Sequence, residues 1–96
     1  MLFVVTAIDR KDSLALRLSV REAHFAYAGA TGRIKLGGPF LDENGAMAGS
    51  LMIVEAPDLE TVRAWHAEDP YVKAGLFERS DIRAWKATLN PIAANL

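Results

Sequence analysis

The 96-residue sequence has no cysteine, no long hydrophobic run and no marked excess of charge of either sign. Without cysteine there is no disulfide, no thiolate nucleophile and no cysteine-bound zinc, which is compatible with a reducing cytosol. A net charge of −1 lacks the basic excess that polyanions attract, so nucleic acid is not an expected partner. The longest apolar run, Leu2 to Ile8, is too short for a transmembrane helix and has no basic flank typical of a signal peptide. We therefore expect a cytoplasmic protein that has no contact with membranes.

The hydrophobic fraction of 51% in so short a chain predicts one compact domain. We assign residues 1–96 to that domain, with a core over residues 1–86. The tail over residues 87–96 is expected to be loose unless it packs on a partner.

The first third of the chain predicts a strand followed by a helix in two parts. The run Leu2–Ile8 is rich in β-branched residues and fits a central strand covered on both sides. A short helical turn over residues 14–18, capped by Asp12 or Ser13, comes next. Ser19 and Glu22 have the spacing of a capping box that starts a second helix, which runs to about residue 30 and ends at Gly32 in a left-handed conformation. Apolar residues at three- and four-residue steps predict its buried stripe as Val20, Ala23, Tyr27 and Ala30.

The middle of the chain predicts a β-hairpin. Residues 34–36 alternate like a strand, Gly37-Gly38-Pro39 interrupts the ladder, and the strand resumes at residues 40–41. Asn44-Gly45 favours a type I′ turn, in which both residues have positive φ angles. Residues 46–55 then form the return strand.

The last third predicts a second helix and a final strand. Asp58 caps a helix over residues 59–67, whose apolar stripe contains Leu59, Val62 and Trp65. Asp69-Pro70 ends it, because a residue before proline is disfavoured in helical conformation. A turn over residues 71–75 leads to an edge strand over residues 77–85.

The resulting order, βαββαβ, predicts an α+β fold with a four-stranded, mainly antiparallel sheet and both helices on one face. The other face would be bare. An isolated domain would then expose an apolar patch of several hundred Å², by order of magnitude, which soluble monomers rarely tolerate. We therefore predict a homodimer formed through this sheet face.

His24 and Asp69 are the candidate catalytic pair. His24 is expected beside the buried stripe of the first helix, where a neutral imidazole can transfer protons if a carboxylate orients it. Asp69, whose backbone is restricted by Pro70, is the carboxylate we assign to it. The alternatives are a structural half-buried histidine and an ordinary carboxylate in an Asp-Pro turn.

Arg17, Arg21, Gly38 and Ser50 are the candidate substrate-binding residues. Either guanidinium can hold a carboxylate or phosphate of a small ligand, although ion pairs with nearby acids are an equal alternative. Gly38 offers an accessible backbone, with a β-bulge as the alternative, and the Ser50 hydroxyl is suited to hydrogen bonding rather than to nucleophilic attack. We expect no metal and no cofactor: His66 and Asp69 have a possible ligand spacing, but a solvated helix-face histidine is the better interpretation.

Several segments, in order, resemble the YciI-like (YCII-related) family: residues 17–24, Gly37-Gly38-Pro39, Gly49-Ser50 and Asp69-Pro70-Tyr71. The resemblance covers about residues 1–86. It implies a ferredoxin-like fold, the dimeric α/β-barrel arrangement and a site centred on a histidine and an aspartate, which correspond to His24 and Asp69. One activity known in the family is dehydrochlorination of a chlorinated hydroxyhydroquinone.

The function expected from these residues is a small cofactor-independent enzyme. His24 would act as general acid and base in a lyase or isomerase reaction on a small molecule, for which an aromatic ring is one option. Two other classes stay open: a dimeric module that binds a metabolite without catalysis, and a structural scaffold.

Overall fold

Four β-strands and three helices make up the computed structural model, which describes residues 1–89. The elements in chain order are β1 (Leu2–Asp9), α1 (Leu14–Thr31), β2 (Ile34–Leu41), β3 (Met47–Glu55), α2 (Leu59–Ala67), α3 (Pro70–Lys73) and β4 (Phe77–Trp85). The strands form one sheet in the order β2-β3-β1-β4, and all three pairings are antiparallel. The ferredoxin-like α+β prediction is confirmed, with α3 as an additional short helix.

The first strand lies at the centre of the sheet, as its composition predicts, between β3 and β4. Its inward side chains Phe3, Val5 and Ala7 are buried, whereas Val4 and Thr6 on the other face are only half-buried. Full cover on both sides, which the apolar run predicted, is thus not provided by residues 1–89 of one chain.

The first helix is continuous, so the two-part prediction was wrong. Ser13 occupies the N-cap position without a side-chain cap, and the Ser19 hydroxyl donates to the Leu16 carbonyl oxygen (2.7 Å) instead of forming a capping box with Glu22. Gly32 ends the helix with a φ of 64°, as predicted.

The buried stripe of α1 also differs from the prediction. Val20 and Tyr27 are half-buried as parts of it, but Ala23 and Ala30 are exposed. The two buried residues are Arg17 and His24. The apolar pattern missed them because polar side chains can be buried when carboxylates pair with them.

The β2–β3 hairpin forms, but its details differ from the prediction. The strand continues through Gly37-Gly38-Pro39, and the register shifts lie on either side of this segment, at residues 34–36 and 40–41. In the turn, Gly45 has a φ of 83°, while Asp12 is the one non-glycine residue within 1–89 with a positive φ. A type I′ turn is therefore wrong. The Asp42 side chain holds the turn instead, because it accepts from the amides of Asn44 and Ala46.

The last third closely follows its prediction. Asp58 caps α2 by accepting from the Thr61 amide at 2.8 Å. Val62 and Trp65 from this helix pack with Phe3, Val5, Met52 and Val54 of the sheet in one core. The final strand β4 lies at the edge of the sheet.

The helices cover one face of the sheet, and the other face carries apolar side chains from all four strands. Ile8, Leu36 and Trp85 on this outer face are 42%, 48% and 41% exposed. No helix within residues 1–89 combines the length and apolar character needed to cross a membrane. The predicted loose tail falls mostly on residues 90–96, outside the described residues.

Candidate functional site

A cavity of about 330 Å³ opens between α1, the β2–β3 hairpin and α3. Its size suits a small molecule with a single ring, near the lower limit of ligand pockets in proteins. One part of the wall is polar and the other apolar. The lining residues are Arg17, Arg21, His24, Phe25, Ala28, Ile34, Gly37, Gly38, Pro39, Met47, Ser50, Met52 and Tyr71.

His24 and Asp69, 45 residues apart in sequence, form a hydrogen-bonded pair beside this cavity. The imidazole Nδ1 lies 2.8 Å from Asp69 Oδ1 and 3.0 Å from Oδ2. Asp69 is fully buried and His24 nearly so. The fold therefore brings together the two residues that sequence analysis paired.

Asp69 reaches His24 because it caps a helix. It lies two residues after the end of α2 and is the N-cap of α3, where its Oδ1 accepts from the Tyr71 amide at 2.9 Å. Pro70 occupies the first helical position, which its fixed φ suits. The Asp-Pro-Tyr sequence thus sets the position of the carboxylate, whereas the sequence pattern predicts Asp69 only as the end of the second helix.

The hydrogen bond to Asp69 defines which ring nitrogen carries the proton when His24 is neutral. A carboxylate can only accept, so Nδ1 carries the proton and Nε2 has the free lone pair. Within residues 1–89, Nε2 has no hydrogen-bond partner. It is nevertheless not sealed from solvent, unlike the two buried side-chain nitrogens of this region that lack a partner, Arg17 Nε and His66 Nδ1. The ring therefore presents a proton acceptor to accessible space at the cavity wall.

Tyr71 fixes the plane of the His24 ring. The two rings stack with centroids 4.1 Å apart and planes inclined by 17°. The Arg17 guanidinium carbon lies 4.9 Å from the Tyr71 ring centroid, within the range of a cation–π contact. Stacking and the carboxylate together leave His24 little rotational freedom.

The Arg17 guanidinium is already paired with other side chains of the protein. Its Nη1 donates to both carboxylate oxygens of Asp9 (2.9 and 3.0 Å), and its Nη2 donates to the Ser50 hydroxyl (2.7 Å). Arg17 and Ser50 are both buried. The ion-pair alternative therefore holds for Arg17, while the Ser50 hydroxyl keeps its own proton to donate to another group.

Arg21 and Gly38 lie at the exposed part of the cavity wall. The Arg21 guanidinium carbon is 5.2 Å from the Phe25 ring centroid. None of the ion pairs within residues 1–89 includes Arg21. Arg21 therefore brings a positive charge to the cavity that no carboxylate of the described chain neutralises.

His66 is buried, so its interpretation as a solvated histidine was wrong. It faces the sheet from α2, where its Nε2 lies 3.0 Å from the Ser80 hydroxyl and its ring stacks on Phe77. Burial lowers the pKa of His66 below its ordinary value of 6.5, which the Asp69 carboxylate opposes and His24 reinforces. Nowhere in residues 1–89 do three or more histidine or acidic side chains form a potential metal-binding group.

Two residues of the site, Asp9 and Tyr71, were not predicted from the sequence. Asp9 had no assigned role, and Tyr71 had none beyond its place in a motif. A signal exists for Tyr71, because an aromatic residue directly after an Asp-Pro pair lies on the same turn as the carboxylate. Asp9 gives no such signal, since its partner Arg17 is on another element.

The family model of the YCII-related domain matches residues 1–86. The chain belongs to the YCII-related family. Two relatives are the protein YciI of Escherichia coli, 40% identical over 90% of this chain and 97% of that one, and an uncharacterized protein of Haemophilus influenzae, 35% identical with the same coverage.

Solved structures extend this family relationship. The chain is 36% identical to a 5-chloro-2-hydroxyhydroquinone dehydrochlorinase from Burkholderia phenoliruptrix, with a TM-score of 0.82 over 90% of this chain and 94% of that one. That protein was solved in complex with 2,5-dihydroxybenzoquinone. An antibiotic biosynthesis monooxygenase shares the fold alone, with 12% identity and a TM-score of 0.58 over 93% of this chain and 100% of that one.

Proposed function

We propose that this YCII-related protein is a cofactor-independent enzyme that moves protons on a small hydroxylated ring, with His24 as general acid and base. The observation that carries the proposal is the 2.8 Å hydrogen bond from His24 Nδ1 to the buried Asp69, which leaves Nε2 as an acceptor at the cavity. A neutral imidazole held in this way has the tautomer and orientation that a general base needs.

The cavity supports a planar, anionic substrate. Apolar side chains such as Phe25, Met47 and Met52 offer a surface for a ring. Arg17 is neutralised by Asp9, whereas Arg21 has no acidic partner within residues 1–89. Together with the quinone-type ligand bound by the related dehydrochlorinase, this favours a hydroxyquinol or hydroxyquinone. Ser50 and the Gly38 backbone are the further binding groups.

The chemistry that follows from this arrangement is proton transfer with or without elimination. Nε2 takes the proton of a ring hydroxyl, the oxygen electron pair forms a C=O bond, and the proton is returned to a ring carbon to give the keto tautomer. If that carbon carries chlorine, loss of a second hydroxyl proton forms another C=O bond and expels chloride, so that HCl is lost overall. Asp69 stabilises the imidazolium that exists between the transfers.

Chloride release from 5-chloro-2-hydroxyhydroquinone tests the proposal. We expect turnover by the unaltered chain and a loss of at least about 100-fold in kcat for His24→Gln, because a positioned acid or base contributes rate factors of this size. His66→Gln is the matched control, since His66 is equally buried but does not line the cavity. Chloride release no faster than in buffer, or full activity of His24→Gln, would contradict the proposal. Tight binding without turnover would favour the metabolite-binding module.

We also propose a homodimer formed through the outer sheet face. The exposed Ile8, Leu36 and Trp85 support it, because such a patch on a small domain is usually covered. Sedimentation velocity should show a dimer that Leu36→Lys dissociates, while Leu18→Lys, at a similarly exposed leucine on α1, leaves it intact. A monomeric unaltered chain would contradict this proposal.

A further inference from the structure

Tyr71 lies at the centre of the site, but the proposed proton transfer gives its hydroxyl no role. The residue is 2% exposed, and its ring is held by the His24 stack and by an edge contact with Phe77, whose ring centroid lies 5.8 Å away. Its backbone amide donates to Asp69. Packing and the helix cap together therefore fix the position of the hydroxyl.

The Tyr71 hydroxyl has no hydrogen-bond partner within residues 1–89, although the residue is buried. The hydroxyl oxygen is not completely sealed from solvent. Tyr71 is also one of the residues that line the cavity. Tyr27 shows the usual arrangement, because its hydroxyl donates to the Trp65 carbonyl oxygen at 2.6 Å. Buried tyrosines normally pair their hydroxyl, so an unpaired one at a cavity wall indicates a partner that does not belong to residues 1–89.

The surroundings of Tyr71 favour an anionic partner. Burial raises the pKa of the hydroxyl, against the opposing effect of the Arg17 and Arg21 guanidinium groups, so the hydroxyl is protonated at neutral pH and can donate. Arg21, which no acidic side chain of residues 1–89 neutralises, attracts a negatively charged oxygen that accepts from this hydroxyl. Asp9 and Asp69 act on the hydroxyl in the opposite sense, but less strongly than the two arginines.

We propose that the Tyr71 hydroxyl is a substrate-binding donor, which together with Arg21 holds an anionic oxygen of the ring substrate while His24 Nε2 exchanges the proton. Tyr71 keeps its own proton throughout. This inference rests on the proposed function and adds to it a second role for the Asp-Pro-Tyr turn. The turn positions the base through Asp69 and, through the next side chain but one, binds the oxygen next to the reacting atom.

Binding of 2,5-dihydroxybenzoquinone, measured by isothermal titration calorimetry, tests the inference. Tyr71→Phe keeps the ring and both aromatic contacts and removes one oxygen atom. We expect its Kd to be about tenfold or more higher, since the loss of a hydrogen bond to a charged group weakens binding by a factor of this size. Its free energy of unfolding should stay the same or rise, because no partner in residues 1–89 is lost. Tyr27→Phe is the control: it should lower stability, because the bond to Trp65 is lost, and leave the Kd unchanged.

The outcomes separate this inference from the proposed function. An unchanged Kd for Tyr71→Phe, together with weaker binding by Arg21→Ala, would overturn the role of the hydroxyl and leave the ring-binding cavity in place. Unfolding of Tyr71→Phe would also overturn it, because the hydroxyl would then be structural. Failure of the unaltered chain to bind 2,5-dihydroxybenzoquinone would overturn the proposed substrate class and the role of Tyr71 with it.

Discussion

Removing the Asp9 carboxylate should strongly destabilise the protein. Asp9 and Arg17 form an ion pair in which both side chains are only 5% exposed, with Nη1 to carboxylate distances of 2.9 and 3.0 Å. In Asp9→Ala the guanidinium stays buried, keeps its bond to Ser50 and loses its counter-charge. The remaining acceptor is a neutral hydroxyl, which does not compensate for the desolvation of a positive charge.

The expected loss follows from the cost of an unpaired buried charge. Breaking a buried ion pair by removing one partner costs about 3–5 kcal/mol, which is more than half of the free energy of unfolding in a domain at the low end of about 5–15 kcal/mol. For a chain of this size each kcal/mol lowers Tm by roughly 4–8 °C. Asp9→Ala should therefore melt more than ten degrees below the unaltered chain.

Urea denaturation followed by circular dichroism measures this loss, and a surface ion pair provides the control. Glu68 lies 2.7 Å from Lys73, with side chains 60% and 63% exposed, so Glu68→Ala should cost no more than about 1 kcal/mol. Replacing both buried partners, as in Asp9→Leu with Arg17→Met, should restore much of the loss because no charge is left unpaired. Equal destabilisation by Asp9→Ala and Glu68→Ala would refute the reasoning.

Three further predictions concern the sheet, a buried histidine and the acidic partner of the base. A Cβ at Gly49 would overlap the Ala7 carbonyl oxygen, so Gly49→Ala should lower the free energy of unfolding by about 1–3 kcal/mol or more. Gly29 on α1 has open space around it, so Gly29→Ala should raise the free energy of unfolding by about 0.5–1 kcal/mol. Burial lowers the pKa of His66 below 6.5, so on acidification the unfolded chain takes up this proton first and stability falls as the pH drops below about 6.5. In His66→Gln the urea midpoint should depend less on pH in this window. An unchanged slope would show that His66 does not cause the loss of stability. Asp69→Asn should reduce chloride release by at least about 100-fold through loss of the correct imidazole tautomer, and full activity would show that the carboxylate does not orient the base.

Local chemistry made most of the fold predictable from the sequence. The Asp58 cap and the stripe through Val62 and Trp65 predict α2 correctly, since cap and apolar spacing agree. The prediction failed at Ser19 and Glu22, where a capping-box spacing lies inside a continuous helix and the hydroxyl bonds to the preceding turn. It also failed at Asn44, because the Asp42 side chain supplies the bonds that define the turn.

The candidate site was predictable to the extent that its residues come from recognisable motifs. His24 and Asp69 were paired from the family resemblance and from the scarcity of titratable groups. The buried Arg17–Asp9 pair joins an α-helix to the end of β1, and nothing in local sequence indicates such a contact. The homodimer, the cytoplasmic location and the exclusion of nucleic acid stay predictions.

The tautomer of the His24 ring tests the central claim most directly. A long-range ¹H–¹⁵N spectrum of the labelled protein should show that the neutral His24 ring carries its proton on Nδ1 and not on Nε2, with the Nε2 signal moving when 2,5-dihydroxybenzoquinone is added. A ring protonated at Nε2 only, or an Nε2 signal that a saturating amount of this compound leaves in place, would contradict the account.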